Sequence, residues 1–248
     1  MKCNARYRVL IPAVIACVGL HALPVAAADS DDRASVLVAS IQSNPNGQSY
    51  GHWAADWWQW ALGIPAATNP LTDTTGAHCG QRQVGDVWFL GGRIFSTDPV
   101  VRVCQIPSTT SLFFPLINTG FAAFLNDPPE QRTEAFVRAH SACTEPVEIS
   151  VWIDGRDVRR PERFFTGASG SQSPFFTIQM PTGNVLGAGE ADIPELVLTP
   201  TAEQGYYLFV RPLSAGTHTI QWIASGCTSG GFQDITYHLT VAGEREER

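Results

Sequence analysis

The sequence contains a single lysine, Lys2, so nearly the whole chain is free of this residue. Residues 3–248 therefore cannot form a Schiff base, use a lysine general base or build a phosphate-binding P-loop. Two further patterns are missing after residue 28. One is a C-x-x-C pair, which is typical of zinc sites, and the other is an apolar run long enough to cross a bilayer. We therefore expect no metal site, no cofactor and no membrane span.

The first 28 residues have the layout of a secretory signal peptide. Basic residues precede an apolar run over 9–25, and three alanines at 26–28 provide a small-residue cleavage site. We expect cleavage before Asp29 and a secreted or periplasmic protein. The alternative is a lipoprotein anchored at Cys17, which is disfavoured because the residues after Cys17 stay apolar.

The remaining residues, 29–248, are acidic. They contain 13 arginines against 23 acidic residues, which gives a net charge of −10. Such a surface repels phosphate groups, so we expect neither nucleic acid nor an anionic membrane as a partner. The length suits one sizeable domain.

Four cysteines follow the leader, and an even number in an exported protein predicts two disulfides. Four cysteines allow three pairings. Cys79 and Cys104 flank one candidate hairpin, so we pair them, which leaves Cys143 with Cys227.

The chain is organised around a tryptophan-rich segment, residues 49–64, with the sequence SYGHWAADWWQWALGI. At about 100° per residue, one narrow arc of a helix is occupied by Tyr50, Trp53, Trp57, Trp60 and Ile64. The segment is therefore predicted to be a mostly buried helix. Ser49 is placed to cap its start, and Gly63 and Pro65 to end it.

Short strands with turn signals between them dominate the sequence from residue 84 onward. One tight hairpin is predicted at Asp154-Gly155, and a second short helix over 131–141 begins at a capping-box-like Asp127 and Glu130. The fold predicted is mainly β, a jelly-roll-like sandwich packed against the N-terminal helix. We assign 29–48 to a lead-in segment, 49–242 to one domain and 243–248 to a charged tail.

Several motifs carry a resemblance to known proteins. The WWQW helix, NPLTDTTGAHC, GDVWFLGG, SLFFPLIN and LSAGTHTI together resemble an uncharacterised family of exported bacterial proteins, over nearly the whole length after the leader. The resemblance implies common ancestry and brings no activity with it. An acidic residue is common in that family at the position of His52, which argues against a shared role that needs histidine.

The polar stripe of the predicted helix supplies the candidate catalytic residues. His52 and Asp56 lie one helical turn apart, a spacing that suits an oriented acid–base pair, and Gln59 continues the stripe as a candidate ligand-binding residue. This spacing is common by chance, and we favour the alternative, a solvated stripe or a His–Asp pair that satisfies polar groups under a loop.

Aromatic side chains suggest a sugar-stacking platform. Trp53, Trp57 and Trp60 share the arc of Ile64, so we expect them in the core. Trp58, off that arc, and Trp152, on the polar face of its strand, are the better ligand-binding candidates.

Two short motifs resemble catalytic signatures but lack their context. Gly47-Gln48-Ser49-Tyr50-Gly51 matches the nucleophile elbow G-x-S-x-G, yet no strand leads into Ser49, so a helix cap is favoured. The Asp73-Thr74-Thr75-Gly76 segment lacks the second carboxylate of an aspartic protease and is interpreted as a turn.

The sequence leaves two function classes open. The first is an exported β-sandwich that binds an extracellular or cell-envelope ligand such as a carbohydrate. The second is a secreted hydrolase whose site includes the polar stripe. A pocket containing His52 and Asp56 would favour the hydrolase, and exposed Trp58 or Trp152 would favour the binding protein.

Overall fold

The computed structural model describes residue 35 and residues 37–187 and 194–243 of the chain. The predicted signal peptide, the Cys17 alternative and most of the charged tail lie outside these residues. Two α-helices are described, α1 (Tyr50–Leu62) and α2 (Glu134–His140). The nine described strands are β1 (Val87–Phe89), β2 (Val100–Ile106), β3 (Ser111–Phe124), β4 (Glu145–Ile153), β5 (Arg156–Asp157), β6 (Phe176–Met180), β7 (Leu196–Val210), β8 (Gly216–Cys227) and β9 (Phe232–Val241).

The strands form two sheets, with the orders β1-β3-β7-β6 and β2-β9-β8-β4-β5. Most neighbours are antiparallel, but β1 runs parallel to β3 and β2 runs parallel to β9. One of the sheets is curled into a half-barrel. The prediction of a mainly β, jelly-roll-like sandwich with a Trp-rich helix and a second short helix is confirmed.

None of the described helices combines the length and apolar character that a bilayer crossing requires.

The first half of β3 and the second half of β7 are buried on both faces because they form the middle layer of the molecule. On one face, Phe114 stacks on Trp222 of the five-stranded sheet, with ring centroids 4.9 Å apart. On the other face, Phe113 and Tyr207 stack on each other beneath α1, with centroids 5.3 Å apart. The continuous apolar run 112–117 therefore reflects a strand covered on both sides.

Helix α1 is capped at both ends as predicted. The Ser49 side chain accepts a hydrogen bond from the His52 amide, and the Gly63 amide donates to the carbonyl of Gln59. Of the predicted arc, Trp57 is 3 % exposed and Tyr50, Trp60 and Ile64 are also buried. Trp53 is only partly buried, which corrects the expectation that it lies in the core.

The lead-in segment contributes to the core. Val38 and Ala39 are buried, and Val38 forms an isolated antiparallel bridge with Val210 at the end of β7. The Tyr50 hydroxyl, in the first turn of α1, donates to the Ala39 carbonyl at 2.6 Å and accepts from the Phe209 amide at 3.1 Å. These hydrogen bonds hold the lead-in, the helix and β7 together.

The tight hairpin turn forms where predicted, and the second helix begins later than predicted. Asp154 and Gly155 both have positive φ and join β4 to β5, which confirms the tight turn. Helix α2 begins later than predicted, because Thr133 is its N-cap and accepts from the Phe136 amide at 3.2 Å. Asp127 instead accepts from the Phe124 amide at the end of β3.

Both predicted disulfides are present, Cys79–Cys104 and Cys143–Cys227. The first ties the long loop after α1 to β2, and the second ties the segment after α2 to the end of β8. Two disulfides are typical of a protein that matures in an oxidising compartment.

Replacing Trp57 by alanine is expected to lower the free energy of unfolding by about 3–5 kcal/mol, because a large buried indole leaves a cavity. The indole also loses its hydrogen bond to the Leu90 carbonyl, which measures 2.9 Å. Chemical denaturation would measure the loss. The control is His52→Ala on the exposed side of the same helix, for which we expect a change within about 0.5 kcal/mol. Equal midpoints for the two variants would contradict the burial of this face.

Removing the two disulfides separately should give losses of different size. Serine replacement of Cys79 and Cys104 opens a loop whose ends are 25 residues apart in the sequence. Serine replacement of Cys143 and Cys227 opens a loop whose ends are 84 residues apart. Chain entropy predicts losses of roughly 3.5 and roughly 4.5 kcal/mol in the free energy of unfolding. Denaturation of both double variants beside the wild type measures them. The reverse order would show that strain or denatured-state structure outweighs chain entropy.

Candidate functional site

A cleft of about 500 Å³ opens between helix α1 and the segment that leads into β1. Its walls combine indole and phenyl rings with charged and amide side chains. The lining residues are Trp53, Asp56, Gln59, Trp60, Arg82, Val84, Gly85, Asp86, Val87 and Phe89. A concave site that combines aromatic and aliphatic side chains with a few polar groups has the usual character of a small-molecule site.

The helix places its contribution to the cleft on one face. Trp53, Asp56 and Trp60 are spaced three and four residues apart, so their side chains lie one above another along α1. The indole N–H of Trp53 donates to the Pro45 carbonyl, and that of Trp60 donates to the Gln81 carbonyl, each at 2.9 Å. Because both N–H groups are used internally, the two indoles offer mainly ring surface to the cleft.

The second wall comes from residues 82–89, between the long loop and β1. The Arg82 guanidinium donates to the carbonyl of Gly63, the C-cap residue of α1. A cation is favourable there, because the helix dipole and free carbonyls place negative charge at this end. Asp86 is exposed and keeps its carboxylate available to a ligand.

Two residues of the predicted stripe line the cleft, and the third does not. Asp56 accepts a hydrogen bond from the Gln48 side-chain amide at 3.1 Å, and Gln59 donates to the Thr177 carbonyl at 3.0 Å. The exposed His52 places its Nδ1 2.9 Å from the Ser49 hydroxyl. The structure thus gives His52 and Asp56 different partners, and Asp56 joins Gln59 in the cleft.

The two candidate platform residues lie elsewhere. Trp58 is partly buried, and its indole donates inward to the Tyr207 hydroxyl at 3.1 Å. Trp152 is partly buried on the outer face of the five-stranded sheet. Its position on β4 is paired with Gln221 on β8 and with Asp157 on β5. Neither residue lines the cleft.

Sequence reasoning missed Arg82 and Asp86 as site residues. Asp86 belongs to the GDVWFLGG motif, which the family resemblance had singled out, but nothing in the local pattern indicates what it faces. The contact with α1 depends on the loop between them, which folds back and is tied to β2 by Cys79–Cys104.

Sequence analysis also missed a polar cluster of His218, Asp154 and Ser214 in the five-stranded sheet and its loops. His218 Nδ1 lies 2.8 Å from Asp154 Oδ2, and its Nε2 lies 3.4 Å from the Ser214 hydroxyl. This order of groups resembles a Ser-His-Asp triad. However, Nε2 is closer to the Ser214 carbonyl oxygen, at 2.9 Å, so the ring bridges two acceptors and the hydroxyl is not its main partner.

The segment Asp73-Thr74-Thr75-Gly76 is a turn, as interpreted from the sequence. Asp73 Oδ1 accepts from the amide and hydroxyl of Thr75, and Oδ2 accepts from the His78 amide. Within the described ranges, no group of three or more His, Cys, Asp or Glu side chains is arranged to hold a metal ion.

Comparison of the chain with protein-family models, with curated proteins and with solved structures finds no match. The resemblance to exported bacterial proteins therefore stays a prediction.

Ser214 is expected to be unreactive, because Nε2 of His218 is hydrogen-bonded to the Ser214 carbonyl oxygen and not mainly to its hydroxyl. Incubation with a fluorophosphonate probe, followed by intact mass measurement, should leave the protein unlabelled. Ser214→Ala is the control, since it removes the hydroxyl and keeps the carbonyl. Labelling of the wild type that disappears in Ser214→Ala would show that this cluster is a working nucleophile site.

Proposed function

We propose that this protein is an exported β-sandwich that binds an extracellular or cell-envelope glycan in the cleft beside helix α1. The observation that carries the proposal is the cleft itself, about 500 Å³ with two indoles and two carboxylates among its lining residues. Sugars present flat C–H faces that pack on aromatic rings, and hydroxyl groups that bond to carboxylates, amides and guanidinium groups. The lining of this cleft offers both.

Export agrees with the two disulfides, which suit an oxidising environment. A glycan is also compatible with the acidic chain, since a neutral sugar is not repelled by a net charge of −10 over residues 29–248. Nucleic acid and anionic membrane surfaces would be repelled.

A hydrolase is the second candidate, and one observation favours it. Asp56 and Asp86 share the cleft, and most glycoside hydrolases use two carboxylates on either side of the scissile bond. The cleft would then be catalytic, with Asp56 and Asp86 in these roles and His52 outside it.

The binding proposal is tested by calorimetry or tryptophan fluorescence against a panel of defined oligosaccharides. For a glycan that binds, Asp56→Asn and Asp86→Asn should each weaken affinity by roughly tenfold or more, because a hydrogen bond to a charged group contributes about 1.5–3 kcal/mol. His52→Gln is the matched control on the same helix, and we expect it to bind as the wild type does. All variants are compared at equal folded fraction.

Two outcomes redirect the proposal. If Trp152→Ala abolishes binding and the cleft variants bind normally, the ligand lies on the outer sheet face and the cleft is not the site. If the wild type shortens an oligosaccharide and either aspartate variant binds it without cleavage, the protein is a glycoside hydrolase. Absence of binding across the panel contradicts the glycan proposal.

A further inference from the structure

Glu203 is a carboxylic acid enclosed in the protein interior. It lies on β7, its exposed fraction is 0 %, and Oε2 accepts from the Tyr207 hydroxyl at 2.8 Å and the Thr166 hydroxyl at 3.2 Å. The other oxygen, Oε1, has no hydrogen-bond partner within the described part of the chain. A buried carboxylate oxygen without a donor is costly when the group is ionised.

The groups around Glu203 provide little compensating charge. Trp58 from α1 and Asn118 from β3 donate to the Tyr207 hydroxyl, at 3.1 and 3.0 Å, and both are neutral. The single cation facing it, among the residues that the structure describes, is Arg138 of α2. This guanidinium lies 3.4 Å from the main-chain oxygen of Glu203 and bonds more closely, at 2.7 Å, to the Ser173 carbonyl.

One surface segment, residues 166–173, covers this site and is called the strap below. Thr166 and Ser173 at its two ends are buried, and Ala168, Ser169 and Gly170 at its tip are exposed. Thr166 holds one end on β7: its amide donates to the Gly205 carbonyl at 2.9 Å, and its hydroxyl accepts from the Gly205 amide at 3.1 Å.

The strap also passes tightly over the start of α1. A Cβ atom at Gly51 would lie 2.3 Å from the Gln172 carbonyl oxygen, so only glycine allows this contact. On its other side, the strap borders a cavity of about 310 Å³, together with Arg163 and Phe165. The tip therefore has open space next to it, and its ends are fixed by contacts with Glu203, Gly205 and Arg138.

We propose that the strap is a proton-controlled cover, closed over Glu203 when this carboxyl is protonated and released when it ionises. Ionisation creates a buried charge whose Oε1 lacks a donor, and releasing the strap admits water to it. The Thr166 hydroxyl has one hydrogen, which either the Gly205 carbonyl or Glu203 Oε2 can accept, both at 3.2 Å. An ionised carboxylate holds this hydrogen more strongly, but the bond reaches only Oε2 and leaves Oε1 without a donor within the described part of the chain.

The direction of the pH response follows from the electrostatics. Burial raises the pKa of Glu203 to about 7, and the Tyr207, Thr166 and Ser173 hydroxyls and the Arg138 charge lower it only in part. A carboxyl with a raised pKa stabilises the closed form fully below its ordinary pKa of 4.5. That contribution is lost as pH rises through about 7. The strap should therefore be closed at pH 6 and increasingly open at pH 8.

Hydrogen exchange of the peptide 164–174 tests this, after correction for the intrinsic pH dependence of exchange. Between pH 6 and pH 8 the ionised fraction of a group with a pKa near 7 rises from about 10 % to about 90 %, so we expect protection to fall roughly tenfold. Glu203→Gln should remove the pH dependence. Glu148→Gln, at an exposed position, is the matched control and should behave as the wild type does.

A second variant keeps the test decisive if Glu203→Gln does not fold. Ser173→Ala removes a hydroxyl that lowers the pKa of Glu203 and leaves the Ser173 carbonyl for Arg138, so the opening midpoint should move to higher pH. A strap whose protection is independent of pH in the wild type, or a midpoint unmoved in Ser173→Ala, overturns the proposal. So does equal loss of protection in peptide 216–227 of β8, which would mean global opening.

Discussion

The burial of the aromatic face of α1 against β3 and β7 is the interaction on which the rest of the structure depends. Tyr50 and Trp57 pack against the stacked rings of Phe113 and Tyr207, and Trp60 packs against Phe89 of β1. The polar atoms of all three helix residues find partners in other segments. Those hydrogen bonds reach the lead-in, β7 and the loops on either side of β1. Helix and sheet therefore form one layered core, in which the four-stranded sheet is covered on both faces.

A second constraint holds the long loops on the other side of the core. Arg102 on β2 is 1 % exposed, and its guanidinium donates to the carbonyls of Asp73, Gly91 and Gly92 and to the Tyr237 hydroxyl. A buried cation is tolerated because its donors are satisfied by these acceptors. This contact and the Cys79–Cys104 bond fix the loop after α1. The same loop carries Arg82 to the cleft.

Carboxyl groups lie in two different environments beside helix α1, one open to solvent and one buried. The cleft holds Asp56 and Asp86 near solvent, where a ligand can reach them, and the helix supplies the aromatic wall beside them. On another side of the same helix, Trp58 joins Tyr207 and Glu203 in a closed network. Burial raises the pKa of the Tyr207 phenol, and the charge of Glu203 raises it further, so Tyr207 stays a donor to Glu203. Solvent access therefore separates their roles: the carboxylates in the cleft can bind a ligand, and the buried carboxyl of Glu203 can respond to a change in pH.

The sequence by itself determined the helix, its caps, the Asp154-Gly155 turn and the two-sheet fold class, because periodicity, capping and turn conformation are local properties. Tertiary structure alone decided which faces are buried and which residues meet. In β2, Val101 and Val103 point outward and Arg102 inward, the reverse of hydrophobic patterning. The disulfide needs Cys104 on the inner face, and only there does Arg102 find its acceptors. The same holds for the cleft, since Asp86 lines it together with α1 only because of a loop whose path depends on distant contacts.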